Sequence, residues 1–190
     1  MTAGTALVLV DIQRGLAASE GDRNNPGAER QAGILLDAWR TADAPRIHVQ
    51  HLSVHPHSPL RPERPGVELH DAVRPLPGEP LFRKSVASPF AGSTLDAHLR
   101  ELGVQRLVVA GLTTEHCVSS TCRAASDLGF EVVVVEDATA CFGRTSFDGR
   151  YHRPDDIHRL ALVALHDEFA SIRSTAEVLA ELRDGRLSPR

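Results

Sequence analysis

Short, uninterrupted apolar runs alternate along this chain with segments of helical periodicity. Ala6–Val10 and the Leu107-Val-Val-Ala run ending at Gly111 are continuous apolar stretches, and so is Val132–Val135 after Glu131. Runs of this length bounded by turn residues predict strands buried on both faces, as in a parallel sheet. Arg46–Leu52 alternates and predicts a second strand, Pro80–Ser85 a brief third, and 168–172 a last one. Between them, residues 28–41 carry Ala32, Leu35, Leu36 and Trp39 at helical spacing. Further helices are predicted over 95–102, 115–128, 154–166 and 175–182, with Gly103 and Gly129 as stops and Pro154 as a start. Six strands alternating with helices predict an α/β fold, a three-layer α/β/α sandwich around a six-stranded, mainly parallel, Rossmann-like sheet. Neither an internal repeat nor a linker interrupts the pattern, so residues 1–190 read as a single domain.

Three stretches stay outside the periodicity: 15–27, 54–80 and 140–153. The second holds seven of the twelve prolines. A loop of that length in a small domain is expected to cover or wall a site. The third carries Phe142, Phe147 and Tyr151 in a chain with few aromatics, a composition that suits a pocket wall or simply packs the loop down.

Composition narrows the function classes. Apolar residues make up 42% and charged residues 24%, with a formal net charge of -4. That balance supplies no electrostatic argument for nucleic acid or for a membrane surface. Three cysteines are too few and odd in number for a disulfide framework, which suggests free thiols in a reducing compartment. The N-terminus lacks a basic segment before its apolar run, so a cytoplasmic protein is expected.

In open α/β sheets, ligands bind beyond the carboxyl ends of the strands. The polar residues predicted there are Asp11, Lys84 and Cys117. No G-x-G-x-x-G follows the first strand, and neither G-x-x-x-x-G-K-[ST] nor G-x-S-x-G occurs. Cys117 opens a predicted helix, where unpaired N–H groups lower a thiol's pKa and favour a nucleophile. A small buried hydrophobe is an equally good account of a free cysteine on position alone. Asp11 either caps a turn or acts as a base, and Lys84 is either solvated or paired with Asp11. Cys122 and Cys141 read as filler. His48, His51, His55 and His57 form a dense tract that can bind metal, although no acidic residue lies among them and an exposed loop explains them as well. If the trio meets, a cysteine attacks a carbonyl, a carboxylate takes its proton and backbone N–H groups hold the oxyanion, which is acyl transfer to water with an amide as substrate.

Val8-Leu-Val-Asp-Ile-Gln13, Lys84 followed by Ser88-Pro-Phe90, and Gly111-Leu-Thr-Thr-Glu-His-Cys-Val118 closely resemble the three signatures of the isochorismatase-like cysteine hydrolases. That superfamily includes nicotinamidases, carbamoylsarcosine amidases, ureidoacrylate amidases and isochorismatases. The resemblance runs in order over about residues 5–182. It implies Asp11, Lys84 and Cys117 as the catalytic triad and the backbone N–H groups of Thr113 and Cys117 as the oxyanion hole. It also implies a cis peptide at Leu112–Thr113 and a homodimer or homotetramer. Gln13, His51, Phe142, Phe147 and Tyr151 are the expected substrate-binding wall around a small molecule. The Asp-x-His metal motif of nicotinamidases falls on Val49-Gln-His51, which lacks the acid, so no metal and no cofactor are expected. Isochorismatases proper cleave a vinyl ether and commonly lack the cysteine, so Cys117 favours the amidase side. The alternatives are a vinyl ether hydrolase and a catalytically inert binding homologue.

Overall fold

In a computed structural model that describes residues 4–19 and 21–187, a parallel sheet of six strands forms the middle layer. In chain order the elements are β1 (Thr5–Val10), α1 (Arg14–Ala17), α2 (Ala28–Thr41), β2 (Arg46–His51), β3 (Leu81–Lys84), α3 (Leu95–Glu101) and β4 (Arg106–Leu112). They continue with α4 (Ser119–Asp127), β5 (Glu131–Ala140), β6 (Arg144–Thr145), β7 (Tyr151–His152), α5 (Pro154–Val163), β8 (Ser171–Arg173) and α6 (Thr175–Arg183). The sheet order is β3-β2-β1-β4-β5-β8, and every pairing within it is parallel. The order reverses between β1 and β4, the place where open sheets leave a crevice beyond the strand ends.

The continuous apolar runs are explained by burial on both sides. In β1, Ala6, Val8 and Val10 face one core with Leu95, Leu99, Val118 and Cys122, while Leu7 and Leu9 face the other with Ala32, Leu35, Leu36 and Trp39. Successive side chains of a strand point to opposite faces, so a strand in the middle layer needs apolar residues at every position. Among the described residues, no helix is long and apolar enough to cross a membrane.

Four details depart from the periodicity. The predicted 15–27 loop begins inside α1. β5 runs on past Val135 to Ala140, with a register shift opposite Val109 and Gly111 that lets Thr139 and Ala140 pair with the end of β4. The 140–153 loop folds back on itself as the β6–β7 hairpin. The last strand starts at Ser171 rather than 168.

The proline-rich 54–80 segment is irregular apart from single 3₁₀ turns at Pro65–Val67 and Asp71–Val73. Its end is pinned by Glu79, whose side chain is only 3% exposed. Glu79 accepts from Arg40 Nε and Nη2 (2.9 and 2.8 Å), Arg46 Nε (2.7 Å) and the Leu76 N–H (2.9 Å), and it pairs with His48 Nε2 at 3.0 Å. These donors hold its carboxyl well below the usual carboxylate range, the Arg40 bond contributing most. Removing one member of a buried charged network strands the others. Arg40 and Arg46 still reach water, so Glu79→Ala should destabilise by about 3 kcal/mol, the lower end for breaking a buried pair. Urea unfolding measures it, and a loss below about 1 kcal/mol, the range of surface pairs, would show that the network is not a structural hub.

Candidate active site

β1 and β4 end side by side, with Val10 paired to Gly111. Directly after β1, Asp11 adopts φ +52°, a left-handed conformation that Asp tolerates better than most residues. Its N–H donates to Val49 O at 3.0 Å, and its side chain is turned inward, 1% exposed. After β4 the Leu112–Thr113 peptide is cis, and Thr114–Val118 forms a single π turn before α4. Such turns occur frequently at functional sites. Thr113 O accepts from both the His116 and Val118 N–H groups at 3.2 Å. Beneath the turn, Thr114 Oγ1 lies 2.9 Å from His158 Nδ1, both residues being buried. Cys117 is therefore presented at the mouth of the β1–β4 crevice, part-buried.

Lys84 comes from the opposite side. It ends β3, two strands away from β1, and is in register with His51 at the end of β2. Its side chain is 2% exposed and crosses over β2 to reach Asp11. Lys84 Nζ donates to Asp11 Oδ2 at 2.5 Å, to Cys117 Sγ at 3.3 Å and to Val86 O at 3.1 Å, and it lies 3.3 Å from His51 Nδ1. An oxygen of Asp11, a ring nitrogen of His51 and Sγ of Cys117 all lie within 4.8 Å of one another. Among the described residues, Asp11 Oδ1 is buried with no hydrogen-bond partner. A buried acceptor left open in this way is costly, and the neighbouring thiol is the donor that can satisfy it.

The electrostatics reverse one sequence expectation. A position at the start of a helix predicts a lowered Cys117 pKa. Instead, burial pushes the thiol up to about 12, the Asp11 charge adds to the rise, and Lys84 only partly opposes it. Burial also raises Asp11 above its ordinary value against the opposing pull of Lys84. His51 is lowered by burial and then by the Lys84 charge, which favours the neutral ring. Burial thus disfavours the charged form of the Cys117 thiol and of the Asp11 carboxyl alike.

The expected wall is redistributed. His51 touches the Lys84 ammonium, closer to the chemistry than a wall. Gln13 is fully buried, and its amide is spent on backbone: Nε2 donates to His51 O and Val67 O (3.0 and 2.7 Å), and Oε1 accepts from the His51 N–H at 2.9 Å. It fixes the strand end that carries His51 and is not free to meet substrate. Phe147 lies between β6 and β7 and is fully exposed, so it walls no cavity of its own chain. Tyr151 is half-exposed and donates its hydroxyl to Asp22 at 2.6 Å, which ties the hairpin to the loop after α1. Phe142 is half-buried, with the Arg23 guanidinium 5.9 Å above its ring. The histidine tract does not converge either. His48 faces Glu79 on the sheet face opposite His51, and the His55 and His57 rings meet in a T-shaped pair in the exposed loop.

Three contributors lie outside what the sequence pattern shows. Val86 binds Lys84 through its carbonyl, which no side-chain pattern reveals. Glu115, with its carboxylate buried, lies 3.2 Å from Arg144 Nε across 29 positions of chain. His158, the brace under Thr114, is similarly remote in sequence.

The isochorismatase domain model matches residues 5–177. An uncharacterized isochorismatase family protein of Bacillus subtilis, YrdC, is 37% identical over 175 residues, covering 92% of this chain and 94% of its own. A solved isochorismatase-family structure from Chromobacterium violaceum superimposes with a TM-score of 0.90 at 39% identity, covering 94% of this chain and 93% of the other. Streptothricin hydrolase of Streptomyces noursei is 38% identical over 141 residues, 72% of this chain but only 50% of its own length.

Proposed function

The chain belongs to the isochorismatase family of hydrolases, and on that footing we propose that it cleaves a C–N bond of a small amide through a cysteine thioester. The single observation that carries this reading is the Lys84 ammonium bridging Asp11 Oδ2 and Cys117 Sγ in a buried crevice. Streptothricin hydrolase supports it as a hydrolase relative. So does a ureidoacrylate amidohydrolase, RutB of Caulobacter segnis, 33% identical over 123 residues and matched over 46% of its length.

The chemistry follows from the contacts of the three groups. Cys117 Sγ attacks the carbonyl carbon as its proton passes to Asp11, whose Oδ1 is open to receive it. Lys84 stabilises the carboxylate beforehand and the sulfur charge as it develops. The backbone N–H groups of Thr113 and Cys117 hold the oxyanion. Collapse breaks the C–N bond, Asp11 returns its proton to the leaving nitrogen, and an acyl thioester remains. Water then attacks the thioester carbonyl with Asp11 as base, releasing the acid and restoring the thiol. A raised pKa makes Asp11 a better base and a better acid partner near neutral pH than an ordinary carboxylate.

The test is ammonia or amine release from a panel of small amides, ureido acids and lactams, for the wild type beside Cys117→Ala. Release that disappears with the sulfur supports the proposal. Turnover that survives in Cys117→Ala but is lost in Asp11→Asn points to vinyl ether chemistry, and a panel extended to vinyl ethers without any turnover favours a binding role.

A further inference from the structure

We propose that Asp11, His51 and Cys117 form a latent site for a thiophilic divalent cation such as Zn²⁺, and that Lys84 keeps it closed by placing its ammonium where the ion would sit. The donor set is a carboxylate oxygen, an imidazole nitrogen and a sulfur, a combination that zinc binds tetrahedrally. The three donor atoms lie within 4.8 Å of one another. Zinc at about 2.0–2.3 Å from each would place them about 3.4–3.6 Å apart, so the cluster needs to close by roughly an ångström.

Lys84 Nζ already contacts the whole set: Asp11 Oδ2 at 2.5 Å, Cys117 Sγ at 3.3 Å and His51 Nδ1 at 3.3 Å, with Val86 O at 3.1 Å as a fourth acceptor. An ammonium has three protons, so four acceptors oversubscribe it. Four acceptors around one cation are also the arrangement a tetrahedral ion requires. The fixed positive charge repels a divalent ion strongly at this range, because its side chain is only 2% exposed and water screens it little. The His51 backbone is held from behind: its N–H and C=O are both clamped by the Gln13 amide. The donor geometry is thus built into the scaffold rather than carried by a mobile loop. On binding, the Cys117 S–H bond gives its proton to buffer and the sulfur becomes a metal thiolate.

The inference stands apart from the amidase reading, because the readout is spectroscopic and needs no substrate. Co²⁺ is titrated into the wild type, Lys84→Ala and Lys84→Met, each checked for fold by circular dichroism. Lys84→Ala is expected to bind one Co²⁺ with a thiolate-to-metal charge-transfer band and tetrahedral visible bands, at least about tenfold more tightly than the wild type. Cys117→Ser in the Lys84→Ala background should remove the charge-transfer band. His51→Ala there should weaken binding beyond the roughly 10–100-fold typical of losing an outer partner of a ligand. If Lys84→Ala folds only with Co²⁺ present and not with Mg²⁺, that rescue supports the site, and Lys84→Met then supplies the metal-free comparison. No band in either folded variant overturns the proposal. So does wild-type binding as tight as that of Lys84→Ala, or a band that survives Cys117→Ser.

Discussion

Asp11→Asn is expected to lower turnover by about 10³-fold, and the Asp11→Asn, Cys117→Ala double variant to be no slower than Cys117→Ala alone. General-base catalysis contributes roughly 10²–10⁴-fold, and groups that act as a unit are strongly non-additive. The unit here is the buried trio joined through Lys84 Nζ, in which, under the proposed mechanism, Asp11 takes the proton of the Cys117 thiol. The pH profile carries the same logic with a definite sign. Asp11 must be ionised to accept the proton, so kcat/KM falls as pH drops through its folded pKa. Burial raises that pKa from the ordinary 3.8, so the acid limb lies above the usual carboxylate range. The thiol, pushed up to about 12, adds no rising limb near neutrality. Kinetics from about pH 4 to about pH 10 check both statements. A rate that climbs through the ordinary thiol range of about 8.5 would mean that free thiolate is the nucleophile and that Asp11 is not its base.

Gly111→Ala is expected to remove the folded state or to destabilise it by more than about 4 kcal/mol, the range reached only by steric or buried-polar disruption. Gly111 sits at φ +146°, and a Cβ there would lie 2.1 Å from Val10 O and 2.8 Å from Val10 C. The obstacle is backbone of the paired strand, and β1 and β4 are buried on both faces, so neither can move aside. Gly103→Ala is the comparison. Gly103 also has a positive φ, +67°, but nothing lies within 4 Å of its would-be Cβ. Only the left-handed conformation is penalised there, by about 1–2 kcal/mol. Urea unfolding of the two variants separates close approach from conformational strain. Comparable, small losses in both would show that the β1–β4 contact at Gly111 yields.

The strands of this protein were legible because a sheet covered on both faces leaves a continuous apolar signature, clearest in Ala6–Val10 and Val132–Val135. The hairpin at 144–152 was not, since strands of two residues have no periodicity to read. Nor was the extension of β5 to Ala140, where the register shift carries the strand through Glu136 and Asp137.

At the site, residue types and the positions after strand ends pointed to Asp11, Lys84 and Cys117, because a strand's carboxyl end is a location that local pattern encodes. Tertiary structure alone decided that the three converge. The order β3-β2-β1-β4 places Lys84 two strands from Asp11, within reach of a long side chain, and puts His51 between them. It also decided which groups were spent elsewhere. Gln13 turns back to hold the chain around His51, and Glu79 gathers two arginines and a histidine from distant segments. The sign of the Cys117 shift belongs to tertiary structure for the same reason. A helix terminus is a local feature, whereas desolvation depends on everything packed around the sulfur, and here burial beside Asp11 outweighs the opposing pull of Lys84.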